Sequence, residues 1–257
     1  MEKQPLTLRE KQKVFLDILK DLDIFCTEHN IVYYMGCGTL LGAVRHGGFI
    51  PWDDDLDVFM PHPDYIRFCK EYKSDRYQLH TYQNDKSHSF TFGLLCDNKV
   101  YSISNKTKRY NCGIDVYVIY GAPSNPEEQA IHKKEVFKYI HKKSKLQRIR
   151  NGLANRNLWP KKTMGFNLLN KALIRADKEF ARYRYEECEY IWPYGGGKLN
   201  LKKELYGNPI RLQFEDGMFN APSHPQEVLR AGYGDYMTLP PEEKRHPIHN
   251  GVFYWDD

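Results

Sequence analysis

No stretch of this 257-residue chain approaches the ~18 consecutive apolar residues that a membrane-crossing helix requires. The first residues, Met1-Glu2-Lys3-Gln4-Pro5, lead into a charged segment without the apolar core of a secretory signal, so the expected location is cytoplasmic, with peripheral membrane contact left open. The six cysteines (Cys26, Cys37, Cys69, Cys96, Cys112, Cys188) contain no C-x-x-C pair and no even spacing. That pattern suggests neither a zinc ribbon nor a disulfide framework, and leaves reduced, mostly buried thiols. Internal repeats and low-complexity tracts are also missing, so nothing points to a solenoid or a disordered array.

What remains is an ordinary globular composition, 41% hydrophobic and 28% charged, in a chain long enough to bury one sizeable core. The net charge of +5 is modest but unevenly spread. Between Ile131 and Tyr185 sixteen Lys and Arg face only Glu135, Asp177 and Glu179, a local excess of thirteen. Such a surface attracts phosphate, whether in a nucleotide, a polyanionic glycan, an anionic leaflet or a nucleic acid; the plainer reading is a solvated helical face.

Val14, Ile18, Leu22 and Phe25 recur at helical spacing and predict an amphipathic helix from about Leu8 to His29. The period then changes. Ile31 to Met35 reads as a strand, Thr39 as the cap of a short helix over Leu40 to Arg45, and Leu56 to Met60 as a second strand followed by a helix toward Tyr72. Tyr77 to Tyr82, Phe90 to Cys96, Val100 to Ser104 and Ile114 to Tyr120 are further strand candidates, the last two around a polar turn at Asn105 to Asn111. After Gly121 to Pro126 the pattern becomes helical, over Glu127 to Asn151 and Phe166 to Glu189. The expected organisation is therefore a mixed α/β (α+β) catalytic core at 1–122 and a mainly helical, basic region at 123–257 that packs on it and binds donor or acceptor. One short helix is expected near Gln226 to Ala231.

The most informative stretch runs from Gly36 to Val58, where Asp53, Asp54, Asp55 and Asp57 lie within five positions. So many anions repel one another unless a cation or a basic partner neutralises them. On a strand, Asp55 and Asp57 would point to one face and could share a hard cation; Mg²⁺ suits a few carboxylates completed by phosphate oxygens and water. Asp53 and Asp54 precede the strand and can instead serve a loop, a second layer of contacts or solvent. A lone D-x-D is usually a solvated turn. Here it follows a strand, a glycine-rich turn and a short helix whose N–H groups could hold phosphate, and phosphoryl transfer needs a phosphate cradle beside a metal site. Asp115, a charge inside the apolar run Gly113 to Val118, is the candidate third carboxylate, as ligand, as general base, or as both, if a neighbouring strand brings it beside Asp57.

The run G-T-L-L-G-A-V-R-H-G-G-F-I-P-W-D-D-D-L-D-V, with the Asp115 strand and the C-terminal patches Phe214-Glu215-Asp216-Gly217 and Leu229 to Met237, resembles the LicD family of phosphotransferases, related to the fukutin group. The resemblance spans most of the chain. It implies a nucleotidyltransferase-type fold, dependence on Mg²⁺ (one ion or two, with Mn²⁺ as a substitute), and transfer of phosphocholine from CDP-choline to a cell-surface glycan precursor such as teichoic acid, capsule or lipopolysaccharide. Other CDP-activated polyols, ribitol or glycerol, are alternative donors. By the same resemblance Asp55, Asp57 and Asp115 are metal ligands and catalytic carboxylates, and the turn around Gly36, Gly38, Thr39 and Leu40 takes the donor phosphates.

Arg45 could clamp a phosphate or satisfy helix-end carbonyls, and Trp52 could stack on a base, meet a choline trimethylammonium, or merely anchor its loop. His46 reads as structural or solvent-facing, and Glu215 and Tyr233 to Tyr236 read as folding determinants rather than catalysts. Two other classes stay open: a nucleotidyltransferase that passes the nucleotide itself to a small molecule or protein, and a non-enzymatic polyanion-binding module. The basic segment lacks the aromatic pattern of single-strand readers, so nucleic acid is not an expected partner.

Overall fold

Val14, Ile18, Leu22 and Cys26 form the buried stripe of the first helix, α1 (Leu8–Glu28). Thr7 caps it reciprocally: its hydroxyl accepts the Glu10 N–H, and the Glu10 carboxylate accepts the Thr7 N–H at 2.7 Å. The computed structural model describes residues 4–85, 88–104, 107–155, 162–193, 200–249 and 251–256. In chain order α1 is followed by β1 (Tyr34–Met35), α2 (Cys37–His46), β2 (Asp57–Pro61), α3 (His62–Glu71), β3 (Tyr77–His80), β4 (Gly93–Asp97), β5 (Val100–Ser104), β6 (Thr107–Arg109) and β7 (Gly113–Ala122). The second half comprises α4 (Pro126–Asn155), α5 (Lys162–Phe180), β8 (Tyr190–Pro193), β9 (Leu201–Lys202), β10 (Ile210–Phe214), β11 (Gly217–Ala221), α6 (Pro225–Tyr233) and β12 (Phe253–Trp255).

The architecture is mixed α/β. The main sheet has the order β1-β2-β7-β4-β3, with β2 and β7 parallel and the other pairs antiparallel. The long central strand β7 has β2 along one edge; along the other, β4 pairs with residues 113–116 and β8 with residues 119–122. Because side chains alternate on a strand, Ile114, Val116 and Val118 enter the main core with Ile18, Leu19 and Leu22 of α1. Tyr117 and Ile119 face the opposite side, where they pack with Phe59, Tyr34, Ile191 and Tyr206. Asp57 and Asp115 share that second face by the same alternation.

Of the helices expected in the second half, α4 and α5 form and the short one near Gln226 to Ala231 is α6, but the long helical run ends at Phe180. The helix expected to reach Glu189 stops there because Ile191 and Trp192, both buried, join the edge of β7, so the C-terminal half lends two strands to the sheet. The turn expected to connect the strand at Val100 to Ser104 with β7 is different too. β5 pairs with β6 and with β12, making a separate three-stranded sheet closed by the C-terminal residues. Residues 105 and 106 of that turn lie outside the described residues.

The β10–β11 turn clamps the glycine turn after α2. Glu215, at φ 54°, donates its N–H to the Gly47 carbonyl (2.8 Å) and accepts the Phe49 N–H at Oε1 (3.0 Å), while Arg9 reaches both of its carboxylate oxygens. Its role is in the fold, as the sequence reading expects. Glu215→Ala is expected to destabilise the protein by about 2 kcal/mol, the loss of a charge-assisted bond plus an unsatisfied N–H, read from the chemical denaturation midpoint. Glu215→Gln, which keeps an acceptor for Phe49, should lose less.

Candidate active site

The chain passes from β1 into α2 through Gly36, whose N–H donates to the Asp57 carbonyl at 3.0 Å. The cap residue of α2 is Gly36, which has no side chain to accept an N–H of the first turn. Thr39, expected as the cap, lies one turn further in; it is buried, and its hydroxyl accepts the Asp57 N–H at 2.9 Å. It therefore pins the start of β2 to the first turn of α2. Leu40 is also displaced from its expected role: its side chain is in the core and its N–H donates to the Gly36 carbonyl, so neither faces a ligand.

β2 and β7 place Asp57 directly beside Asp115 in parallel register. Asp57 is buried, Asp115 half-buried, and Asp55 is the most open of the three. Burial, then the charges of Asp55 and Asp115, push the Asp57 carboxyl well above its usual range, although the Cys37 thiol donates to it. Burial raises Asp115 to about 6, opposed by the Tyr117 hydroxyl that donates to its Oδ2 at 3.1 Å. Asp53 is raised to about 7, by burial first and then by Asp55. A Cβ at Gly38 would fall 2.7 Å from Asp53 Oδ2, so glycine is what lets α2 approach this carboxylate.

Asp54 has a separate task. It is buried and accepts the N–H groups of Ile248 (3.1 Å) and His249 (2.9 Å), with Lys11 Nζ at 3.9 Å. The C-terminal strap is thereby tied over the acidic loop, and His249 Nδ1 stands 3.3 Å from Asp54 and 3.7 Å from Asp55.

Two clefts flank the carboxylates. The larger, about 340 Å³, is lined by Gly38, Arg45, Trp52, Asp53, Tyr233 and Asp235 among others. The smaller, about 180 Å³, is lined by Lys11, Asp55, Asn111, Asp115 and His249. Arg45 donates to the Tyr236 carbonyl at 2.8 Å, joining α2 to the segment after α6 rather than capping its own helix. Trp52 already meets a cation, the Arg245 guanidinium 5.8 Å from its ring centroid. Tyr233 and Asp235, read from sequence as folding residues, thus have a second position as cleft wall.

Sequence reasoning missed four neighbours of the carboxylates: Cys37, Tyr117, Lys11 and His249. Tyr117 was findable, since it stands two residues after Asp115 and so on the same strand face. Cys37 sits inside the glycine motif. No local signal marks His249, which is brought to Asp54 across 195 positions.

The donor set is chemically suited to a hard cation: oxygen ligands on two adjacent strands, crowded enough to raise one another's pKa. Among the described residues no group of three or more His, Cys, Asp or Glu is arranged to hold a metal ion by itself. Magnesium, which keeps several waters and uses one or two carboxylates plus substrate phosphate, is compatible with that arrangement.

The model of the family described as LicD/FKTN/FKRP, nucleotidyltransferase domain, matches residues 30–166, which include α2, the acidic loop, β2 and β7. The lipopolysaccharide cholinephosphotransferase LicD of Haemophilus influenzae is 30% identical over 257 aligned residues, covering 95% of this chain and 96% of that protein. Shorter similarity extends to uncharacterized proteins of Rickettsia typhi (48% over 62 residues, 24% of this chain and 20% of that one) and Rickettsia prowazekii (53% over 49 residues, 19% and 18%). With a family match over more than half of its length and a full-length relative at this identity, the chain belongs to the LicD family.

Proposed function

We propose that this protein is a Mg²⁺-dependent phosphotransferase with a nucleotidyltransferase-like core, which moves phosphocholine or a similar phospho-polyol from a CDP-activated donor to a hydroxyl of a cell-surface glycan precursor. The observation that carries the reading is the register pair Asp57 and Asp115, beside Asp55, at the foot of an α2 whose cap residue, Gly36, has no side chain. The cholinephosphotransferase named among the relatives supports the donor head group. Lipopolysaccharide, teichoic acid and capsule are the acceptor classes.

Magnesium, held by Asp57 with Asp55 or Asp115, would neutralise charge on the transferring phosphoryl group. The protein's own contribution is position and a proton acceptor. The backbone N–H groups of the first turn of α2 are offered to the donor phosphates, where the helix dipole favours anions, and Gly38 lets Asp53 stand beside that turn. Tyr117 fixes Asp115 through Oδ2 and leaves Oδ1 to accept the acceptor hydroxyl's proton; a carboxyl raised to about 6 is better matched to that transfer near neutrality than an ordinary one. The smaller cleft, with Asp115, Lys11 and His249, is the acceptor side, and the larger, with Trp52 and Arg45, is the donor side.

The test is product analysis with CDP-choline, CDP-glycerol and CDP-ribitol, each with and without Mg²⁺, backed by titration calorimetry. CMP release with one donor, dependent on the metal, is the expected result and identifies the head group. Pyrophosphate release from a nucleoside triphosphate would replace this reading by nucleotidyl transfer, and binding of polyanions without turnover of any donor would replace it by a binding module.

A further inference from the structure

We propose that the exposed basic face of α4 and α5 docks the protein on the surface of an anionic lipid bilayer. Ile131, Lys134, Lys138, His141, Lys145 and Arg148 are all exposed and follow one another at spacings of three and four, so they form a single stripe along α4, with Lys142 beside it. On α5 the exposed residues Lys171, Ile174, Arg175 and Lys178 repeat the pattern over two turns. Each stripe is thus cationic with one aliphatic side chain in it: Ile131 is 60% and Ile174 40% exposed.

Glu127 and Glu128 are exposed in the first turn of α4 and bound the stripe at its N-terminal end; beyond Ile131 the acids of the two helices offset little of its charge. Asp177 accepts the hydroxyls of Tyr82 and Tyr120, Glu179 pairs with Arg182, and among the described residues Glu135 alone reaches a stripe lysine, Lys138, at 3.7 Å. The hairpin is rooted by Phe180 stacking on Tyr120, five residues and roughly 16 Å along β7 from Asp115, so its cations are not needed to explain the candidate active site. At thirty residues α4 is roughly 45 Å long, enough to span several lipid headgroups. A run of basic side chains on a helix face with isolated aliphatics suits an anionic leaflet, where charge attraction adds to shallow apolar contact. Nucleic acid is disfavoured, because Phe137 and Tyr139 are half-buried and, among the described residues, the stripes expose no Phe, Tyr or Trp ring for bases to stack on, His141 being their one exposed ring. Among the described residues no helix is long and apolar enough to cross the membrane, so the contact would be peripheral.

The inference is independent of the phosphotransferase reading, and its test uses no substrate. The full-length chain is sedimented with vesicles of phosphatidylcholine alone and of phosphatidylcholine mixed with an equal amount of phosphatidylglycerol. The expected result is co-sedimentation with the mixed vesicles only, lost as salt is raised past the level at which charges a Debye length apart are screened. Replacing Lys134, Lys138, Lys142 and Lys145 together by Gln should lower partition by roughly a thousandfold, with helix content by circular dichroism unchanged. Failure of the wild type to sediment, equal sedimentation with neutral vesicles, or indifference to salt would each overturn the proposal, whether or not the substituted protein folds. So would full partition by a folded quadruple variant, or capture by RNA or heparin without any vesicle binding.

Discussion

Asp57→Asn is expected to reduce transfer by about a thousandfold, about 4 kcal/mol of transition-state stabilisation, while leaving the melting temperature unchanged or raised. The two effects have one origin. Asp57 is buried next to Asp115 and under the field of Asp55, and all three influences favour its protonated form. A group with a raised folded-state pKa holds its proton more tightly in the folded than in the unfolded chain. Stability is therefore fullest below the ordinary carboxylate range and declines as pH rises through it. In this site the decline runs on through the raised values of Asp115 (about 6) and Asp53 (about 7). The amide has nearly the same shape, can still accept from the Cys37 thiol and carries no charge, so it relieves the repulsion but is a poor cation ligand. The check is a pair of measurements: turnover with the preferred CDP donor, and melting temperature across that pH window in the presence of a chelator. The variant's melting temperature should fall less steeply with pH than the wild type's. A variant with near-normal turnover would remove Asp57 from the chemistry, and one that melts well below the wild type would show that the carboxylate is a structural partner.

Much of this site was legible because its logic is local. The glycine-rich turn, the short helix and the D-x-D at the head of a strand all fall between Gly36 and Val58. The odd charge in an apolar run marked Asp115, and the alternation of a strand is enough to put Asp115 and Tyr117 on one side; Asp55 stands before β2, which begins at Asp57, so alternation does not place it. Within that stretch the errors concern direction. Thr39 has the chemistry of a cap, but it is buried against β2, where its hydroxyl has the Asp57 N–H to satisfy; Leu40 follows the same turn into the core.

What the sequence concealed depends on distant segments. Asp54 reads like its neighbours, yet the strap at Ile248 and His249 claims it, and nothing near residue 54 foretells a partner almost two hundred positions away. Tyr190 to Pro193 carries too short a pattern to compete with the helical run before it, and becomes a strand only because the far half of β7 offers an open edge. The β5–β6 hairpin likewise owes its separate sheet to β12, at the other end of the chain.

Gly42→Ala is expected to destabilise the protein by about 2 kcal/mol and to cost activity beyond that loss of fold. On propensity alone the change should help, because alanine in a helix interior is better than glycine by about 1 kcal/mol. Space decides otherwise. A Cβ at this position would lie 2.4 Å from the Gly48 carbonyl oxygen and 3.4 Å from the Ile50 nitrogen. Both atoms belong to backbone, so no rotamer change can clear them, and the loop returning from α2 must move as a piece. That loop is held on two sides: the Phe49 N–H donates to Glu215, and the Asp53 N–H donates to the Ile50 carbonyl at 2.9 Å. Pushing it outward strains the Glu215 clamp and carries Asp53 away from Gly38, which alters the wall of the larger cleft. Gly47→Ala is the matched control, since glycine there has φ 69° but open space around it, so the substitution should cost only the smaller left-handed backbone penalty of about 1 kcal/mol and spare turnover. Denaturation midpoints and turnover for the two variants, measured side by side, separate the effects. Equal losses in both would mean that backbone conformation, and not the close packing of α2 against its own loop, sets the shape of the cleft.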